Sequence, residues 1–424
     1  MRPGPPASGP AGAGSPRINE VGVHTDAVAE LIDRARSTVP FYARHLGQTR
    51  STLLGDLPTF NKADLAGQGR FPLLSVPLSE CHRVSATSGT TGPPLFFGYD
   101  EADWADVHDQ YAHIGRTMDL RPDDTLLNML GGGLWVGSPS LEAFAHANGL
   151  GLVSPGPTGP DQLFDWLGDM PLTLLAATPS YMRLLVERAE AGGIDLAGGP
   201  LRMGLLGGEG ATPALRRRVV EAMGPDFVWQ ELYGSTETGG PVLGWGPPSD
   251  PLAGHLLINT WAFVVEILHT DRDEPVEAGE VGEITITAPY RRACPLIRYR
   301  TRDLARTVDT VDPSGFPRIS SLVGRIDDAL KVRGALVYPS VVEEIAVEHL
   351  EPGAEWRIHL TRDVGGLDVM RIEVEHTDAE FIEELGRIIH HRIKVRPRME
   401  MVEPGSLERF AGKARRVRDD RPRD

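Results

Sequence analysis

Cysteine is almost missing from this chain: among 424 residues only Cys81 and Cys294 occur. That excludes a disulfide framework and any CxxC zinc pattern. Positive charge is also in short supply, with 43 Lys and Arg against 59 Asp and Glu and a net charge of −16. A general binder of nucleic acid or of an anionic membrane surface is therefore not expected. No apolar run reaches transmembrane length. Residues 1–16 are rich in Pro, Gly, Ala and Ser and lack an apolar core, so they read as a disordered tail and not a signal peptide. The expected location is cytoplasmic. No internal repeat is visible. What remains is ordinary for a globular protein: 41% hydrophobic and 24% charged residues. The length suggests about two or three domains.

The first informative stretch is Ser85 to Pro94, SATSGTTGPP, after the β-like run Cys81 to Val84. Its glycines free the backbone, and its hydroxyls and N–H groups can wrap an anion. It is not a Walker loop, because Gly92 is followed by Pro93 and Pro94 where Lys and Ser/Thr are required. Upstream, His24 to Leu46 has a helical apolar face at Val28, Leu31, Ile32 and Ala35, interrupted at Pro40. A short helix capped by Asn61 follows, and Tyr99 to Met118 predicts an amphipathic helix.

From Thr125 strands and helices alternate. Strands are expected at Thr125–Leu130, Leu172–Ala177, Leu201–Leu206 and Phe227–Leu232, with helices at Ser140–Asn148, from Thr178-Pro179 to Gly192, and from Thr212-Pro213 to Gly224. This pattern implies an α/β fold with a mainly parallel sheet covered on both faces, whose ligands gather at the carboxyl ends of the strands. Two polar loops fall at such ends: Gly207-Gly208-Glu209-Gly210 and Tyr233-Gly234-Ser235-Thr236-Glu237. Beyond Trp245 the runs Leu256–Ile258, Phe263–Leu268 and Glu283–Thr287 read as a smaller β subdomain. After Asp327 comes a small α+β pattern with helices Pro339–Leu350 and Asp378–Val395 and strands Trp356–Leu360, Val369–Val374 and Met399–Val402. The expected division is a tail over 1–16, a large domain over 17–326 and a small one over 327–424.

Taken in order, TSGTTGPP (87–94), LLGGEG (205–210), ELYGSTETGGP (231–241), LIRYRTRDLA (296–305), GRIDDALKVRGALVYPSVVEE (324–344) and FAGKARRV (410–417) resemble the acyl-adenylate-forming superfamily. RYRTRD, GRIDD with VRG and VYP, and TPSYMRLL (178–185) are most similar to phenylacetate–CoA ligases. The resemblance spans roughly residues 25 to 420 and implies a large AMP-binding domain with a small carboxyl-terminal lid. It implies ATP, Mg²⁺ and CoA as cofactors and co-substrates, and an aryl or arylacetic acid as substrate. Ser88, Gly89, Thr90, Thr91 and Gly92 would grip the β- and γ-phosphates. Thr236 would bond the α-phosphate or acyl carbonyl, and Glu237 would hold Mg²⁺. Gly208 and Glu209 would border the adenine, Tyr233 would stack on it, and Gly234 and Ser235 complete that loop. Asp303 would accept from the ribose hydroxyls with Arg325 nearby, Lys413 would bond the carboxylate and α-phosphate, and Asp327 would be the hinge. Trp135, Tyr181 and Leu232 are the pocket candidates.

Each residue has a plainer reading: Lys413 in a solvated basic run, Glu237 as a first-turn carboxylate, Tyr233 as a strand-end aromatic, Asp303 in a surface ion pair with Arg302. Six motifs in one order outweigh these. Pro93 stands where relatives carry lysine, removing a cation and a backbone donor, and Gly210-Ala211-Thr212-Pro213 lacks a Pro-Trp common in relatives. The alternatives kept open are acyl transfer to a carrier-protein thiol or an amine, and a nucleotide-binding pseudoenzyme. A homodimer is also left open.

Overall fold

The computed structural model describes residues 18, 24–47, 49–87, 93–247, 250, 252, 254–351, 353–363, 365–408 and 416–421. Ser88–Gly92 and Lys413 lie outside the described residues, and so do the roles expected of them. The apolar strands after Thr125 pair in parallel in the spatial order Gly151–Val153, Thr125–Asn128, Leu174–Ala177, Met203–Leu206, Val228–Ser235. All four residues of Leu174–Ala177 and of Met203–Leu206 are buried, as a sheet covered on both faces requires. The helices Gly137–Ala147, Pro160–Asp169, Pro179–Gly192 and Pro213–Met223 connect them. Pro179–Gly192 starts and stops where the sequence says. Thr178 accepts from the Tyr181 N–H, Pro179 takes the first turn, and Gly193 ends it in the left-handed region at φ 65°.

At Val228–Ser235 the sheet turns antiparallel. Gly240–Trp245 pairs with it, followed by His255–Ile258, Pro317–Ser320, Tyr299–Val311, Val281–Thr287 and Val264–Leu268. The runs read as a β subdomain thus form the antiparallel half of one twelve-stranded sheet among the described residues. Strand Val228–Ser235 also extends three residues past the expected end, so Tyr233, Gly234 and Ser235 lie in the ladder and the loop begins at Thr236. Tyr99 belongs to a short strand, Phe96–Tyr99, that pairs with Arg83–Ala86, and the following helix is Glu101–Gly115.

Tyr299–Val311 was not expected as a strand, because its arginines disguise it. They are paired inward. Arg298, 1% exposed and at φ 51°, bonds Glu266 at 2.9 and 3.1 Å. Arg300 bonds Glu283 at 2.7 Å and Asp273 at 2.8 Å.

The carboxyl-terminal unit has its own core around Val342, Ile345, Ile358, Ile372, Leu385 and Ile389. Helices Pro339–His349 and Ala379–Ile393 accompany a four-stranded sheet in the order Arg398–Val402, Asp368–Glu375, Trp356–Arg362, Val417–Asp419. The last strand, which carries Arg418, was not anticipated. Among the described residues no helix is long and apolar enough to cross a membrane.

Candidate active site

The strand ends expected to carry chemistry converge. The turn after Ser235 is held by hydrogen bonds from Thr238 N–H to Ser235 C=O and from Gly239 N–H to Thr236 C=O, both 3.3 Å. A bulge lets this turn fold back tightly: a Cβ on Gly234 would lie 2.1 Å from the Gly240 carbonyl oxygen, so only glycine fits. Gly240 itself has φ 124°, and a Cβ there would meet Ser140 at 2.5 Å. Two residues that the sequence does not advertise clamp the turn from outside. The Tyr99 hydroxyl donates to the Thr236 carbonyl, and buried Arg291 donates to the Thr238 carbonyl at 2.9 Å while stacking on Tyr99 at 4.4 Å.

Within that turn Thr236 and Glu237 are each 7% exposed. The Thr236 hydroxyl lies 3.5 Å from the Ala86 carbonyl, at the base of the hydroxyl-rich stretch. Ala86 in turn donates its N–H to Leu134 C=O at 2.8 Å, which ties that stretch to the loop between strand Thr125–Asn128 and helix Gly137–Ala147. Glu237 Oε1 accepts from the Tyr299 hydroxyl at 2.8 Å. Among the described residues its other oxygen has no hydrogen bond, so a hard, oxygen-seeking ion such as Mg²⁺ fits there. Burial and the facing Glu237 carboxylate hold the Tyr299 phenol protonated and hence a donor.

Asp303 is brought to the same region by its ladder partner Arg325. Its carboxylate accepts from the Tyr233 hydroxyl at 2.8 Å and from Arg325 Nη1 at 2.6 Å, and it is 5% exposed. Burial raises its pKa more than Arg325 lowers it. Tyr233 is therefore bonded to Asp303 through its hydroxyl, a link the stacking role did not foresee. Asp327 sits on the short helical turn Ile326–Asp328 and pairs with Arg302 at 3.1 Å.

Gly208 and Glu209 follow the strand Met203–Leu206. Gly208 has φ 86°, and the Trp135 indole lies 3.4 Å from where its Cβ would be. Glu209 accepts from the Ser180 N–H at 2.6 Å, at the start of helix Pro179–Gly192. The pocket candidates separate. The large unit has two apolar cores: Trp135 and Leu232 pack in the first, with Leu126, Phe144 and Trp245, but Tyr181 is 4% exposed inside the second, among residues such as Leu127, Leu163 and Met182. Its helix turns that ring into the core and leaves Thr178 beside Trp135 and Gly208.

A sheet of parallel and antiparallel halves with a small carboxyl-terminal unit, and polar turns meeting at strand ends, is the architecture of a ligand-binding α/β enzyme. Comparison with known proteins is specific. Residues 83–291 match the AMP-binding enzyme family, and residues 334–421 match the AMP-binding enzyme C-terminal domain. The phenylacetate-coenzyme A ligase of Pseudomonas putida is 30% identical over 92% of this chain and 92% of its own. That of Escherichia coli K12 is 30% identical over 95% and 89%. The chain belongs to the AMP-binding enzyme family, in its phenylacetate-coenzyme A ligase branch, and is an acid–thiol ligase of the AMP-forming type. Among solved structures, a 2-hydroxyisobutyryl-CoA ligase in the postadenylation state with 2-HIB-AMP overlaps with TM-score 0.83, 24% identity, 97% of this chain and 91% of that one. The same enzyme with 2-HIB-AMP and CoA in the thioesterification state gives 0.66, at 26% identity over 94% and 89%.

Proposed function

We propose that the chain activates an aryl or arylacetic acid with ATP and passes the acyl group to CoA. In the first step a substrate carboxylate oxygen attacks the α-phosphorus, the bond to pyrophosphate breaks, and an acyl-adenylate forms. In the second the CoA sulfur, having lost its proton, attacks the acyl carbon and AMP leaves. The observation that carries this reading is that the Thr236-Glu237 turn touches the base of the hydroxyl-rich stretch at Ala86, the strand leading into it holds the Asp303–Arg325 pair through Tyr233, and Gly207 at the neighbouring strand end lies against Leu232 of that same strand.

The chain's own groups divide the work. Asp303 orients the ribose, and Tyr233 and Arg325 orient Asp303. Thr236 donates to the α-phosphate or acyl oxygen. Glu237 would hold Mg²⁺, which would supply charge neutralisation on the phosphates. Gly208 lets the nucleotide and acyl group pass close to the backbone. Ser88–Gly92 and Lys413 keep the roles the sequence implies, gripping the terminal phosphates and bonding the reacting carboxylate. The chain is read as one large domain over 17–326 and a lid over 327–424, working in the cytoplasm with CoA, not a carrier protein, as acceptor. The relatives' names support CoA and an arylacetic substrate, and the Trp135 indole beside Gly208 supplies an aromatic wall for it.

A pyrophosphate-release screen of carboxylic acids, with and without CoA, tests the proposal. Release that requires an aryl or arylacetic acid is expected, and equal release with no acid contradicts it.

A further inference from the structure

The carboxyl-terminal unit meets the large sheet's helices through charges that the nucleotide site does not use. Arg183, on helix Pro179–Gly192, places Nη2 2.5 Å from Glu355 Oε1, just before strand Trp356–Arg362. Their side chains are 10% and 3% exposed. Each also has a second partner in its own unit. Arg183 bonds Glu187 at 3.1 Å, and Glu355 receives Arg416 at 3.2 Å. A buried pair with no other partners would leave two uncompensated charges on separation. Here both charges stay paired when the units part. The seam is lined by a small, shallow cleft whose walls include Arg183, Glu343, Trp356 and Arg416. Val347 packs across it onto the second core.

Arg416 connects this contact to the last motif. Its carbonyl accepts from Ile358 N–H at 2.7 Å, its guanidinium lies 5.2 Å over Trp356, and Nη1 bonds Glu343 at 3.1 Å. Lys413 precedes it by three residues in the sequence. The seam also carries like charge. Glu343 is held protonated more readily by burial, and Glu209 of the large unit adds to that shift. Without Arg183, carboxylates of both units would face each other with less compensation.

We propose that Arg183, Glu355 and Arg416 form a releasable latch that holds the carboxyl-terminal unit where adenylation needs it. Arg183 is then a positioning residue for the first half-reaction and irrelevant to the second. The latch rests on the functional reading above. It separates two arrangements at little electrostatic cost, because Arg183 and Glu355 each change from two partners to one and never to none, while Arg416 keeps both of its own.

The test compares half-reactions in the full chain, using the acid that gives fastest pyrophosphate release with the unaltered protein. Arg183→Gln should slow pyrophosphate release about tenfold or more, the scale of coupling between contacting groups, and leave thioester formation from supplied acyl-adenylate within about twofold. Arg183→Lys, which keeps the charge and loses the fork, should fall between the two. If Arg183→Gln does not fold, Arg183→Lys alone decides by the same split. Equal loss in both half-reactions, or loss in neither, overturns the latch. Absence of pyrophosphate release by the unaltered protein with every acid overturns the functional reading and the latch with it.

Discussion

At Asp303 one buried carboxylate serves two protein donors, Tyr233 and Arg325, and has lone pairs left for a ribose. Asp303→Ala should raise the KM for ATP by about tenfold or more, since charge-assisted bonds contribute about 1.5–3 kcal/mol each. Titration of ATP dependence in the folded variant checks this, and an unchanged KM removes the ribose role. Because burial raises the Asp303 pKa, ATP binding should begin to weaken at a pH above the ordinary aspartate range as acid is added. A second residue carries a stability prediction. His113 is wedged between Trp261 and Phe316, and neither ring nitrogen finds a hydrogen-bond partner among the described residues. Burial lowers its pKa from 6.5 to about 4. The unfolded chain therefore takes up the proton first, so stability is full above pH 6.5 and falls as the pH drops toward 4. The loss should be about 2–3 kcal/mol, and His113→Phe should flatten it in urea unfolding measured across that range. A variant with the same acid limb as the unaltered protein would contradict the assignment.

Elements differ in how openly the sequence announces them. Helix Pro179–Gly192 is legible to the residue, because Thr178, Pro179 and Gly193 each have a backbone reason for their place. The buried parallel strands are legible as apolar runs. Tyr299–Val311 is hidden, since Arg298 and Arg300 at its start are buried only by virtue of Glu266, Glu283 and Asp273, which lie elsewhere in the chain. Compact motifs offer candidate site residues directly from the sequence. Arg291 and Tyr99 are not among them, because they act on backbone carbonyls of a turn distant in sequence. Tyr299 had a signal, lying within RYRTRD, but its contact with Glu237 depends on the fold. The turn at Ile326–Asp328 gives the element-scale prediction. Asp327→Pro fixes φ where relatives are expected to swivel and removes partly exposed contacts to Arg302 and, at 3.9 Å, Arg325. Pyrophosphate release should persist and thioester formation should fall steeply. Parallel loss of both in a folded variant argues against a hinge there.

For the whole molecule, the two half-reactions make opposite demands on one site, since a thiol must reach the acyl carbon where the adenylating group had to stand. Lys413 is the sequence's candidate for the group that must arrive for the first step and leave for the second. Lys413→Ala should abolish most pyrophosphate release and spare thioester formation from supplied acyl-adenylate. A native rate of adenylation in that variant would remove its role.

The most direct measurement of the central claim is the product balance. The purified chain is mixed with ATP, Mg²⁺, CoA and an arylacetic acid, and nucleotides and thioesters are quantified together. Equal amounts of AMP, pyrophosphate and arylacetyl-CoA, all absent without the acid, are the predicted result. ADP with inorganic phosphate, or nucleotide turnover without thioester, would contradict it.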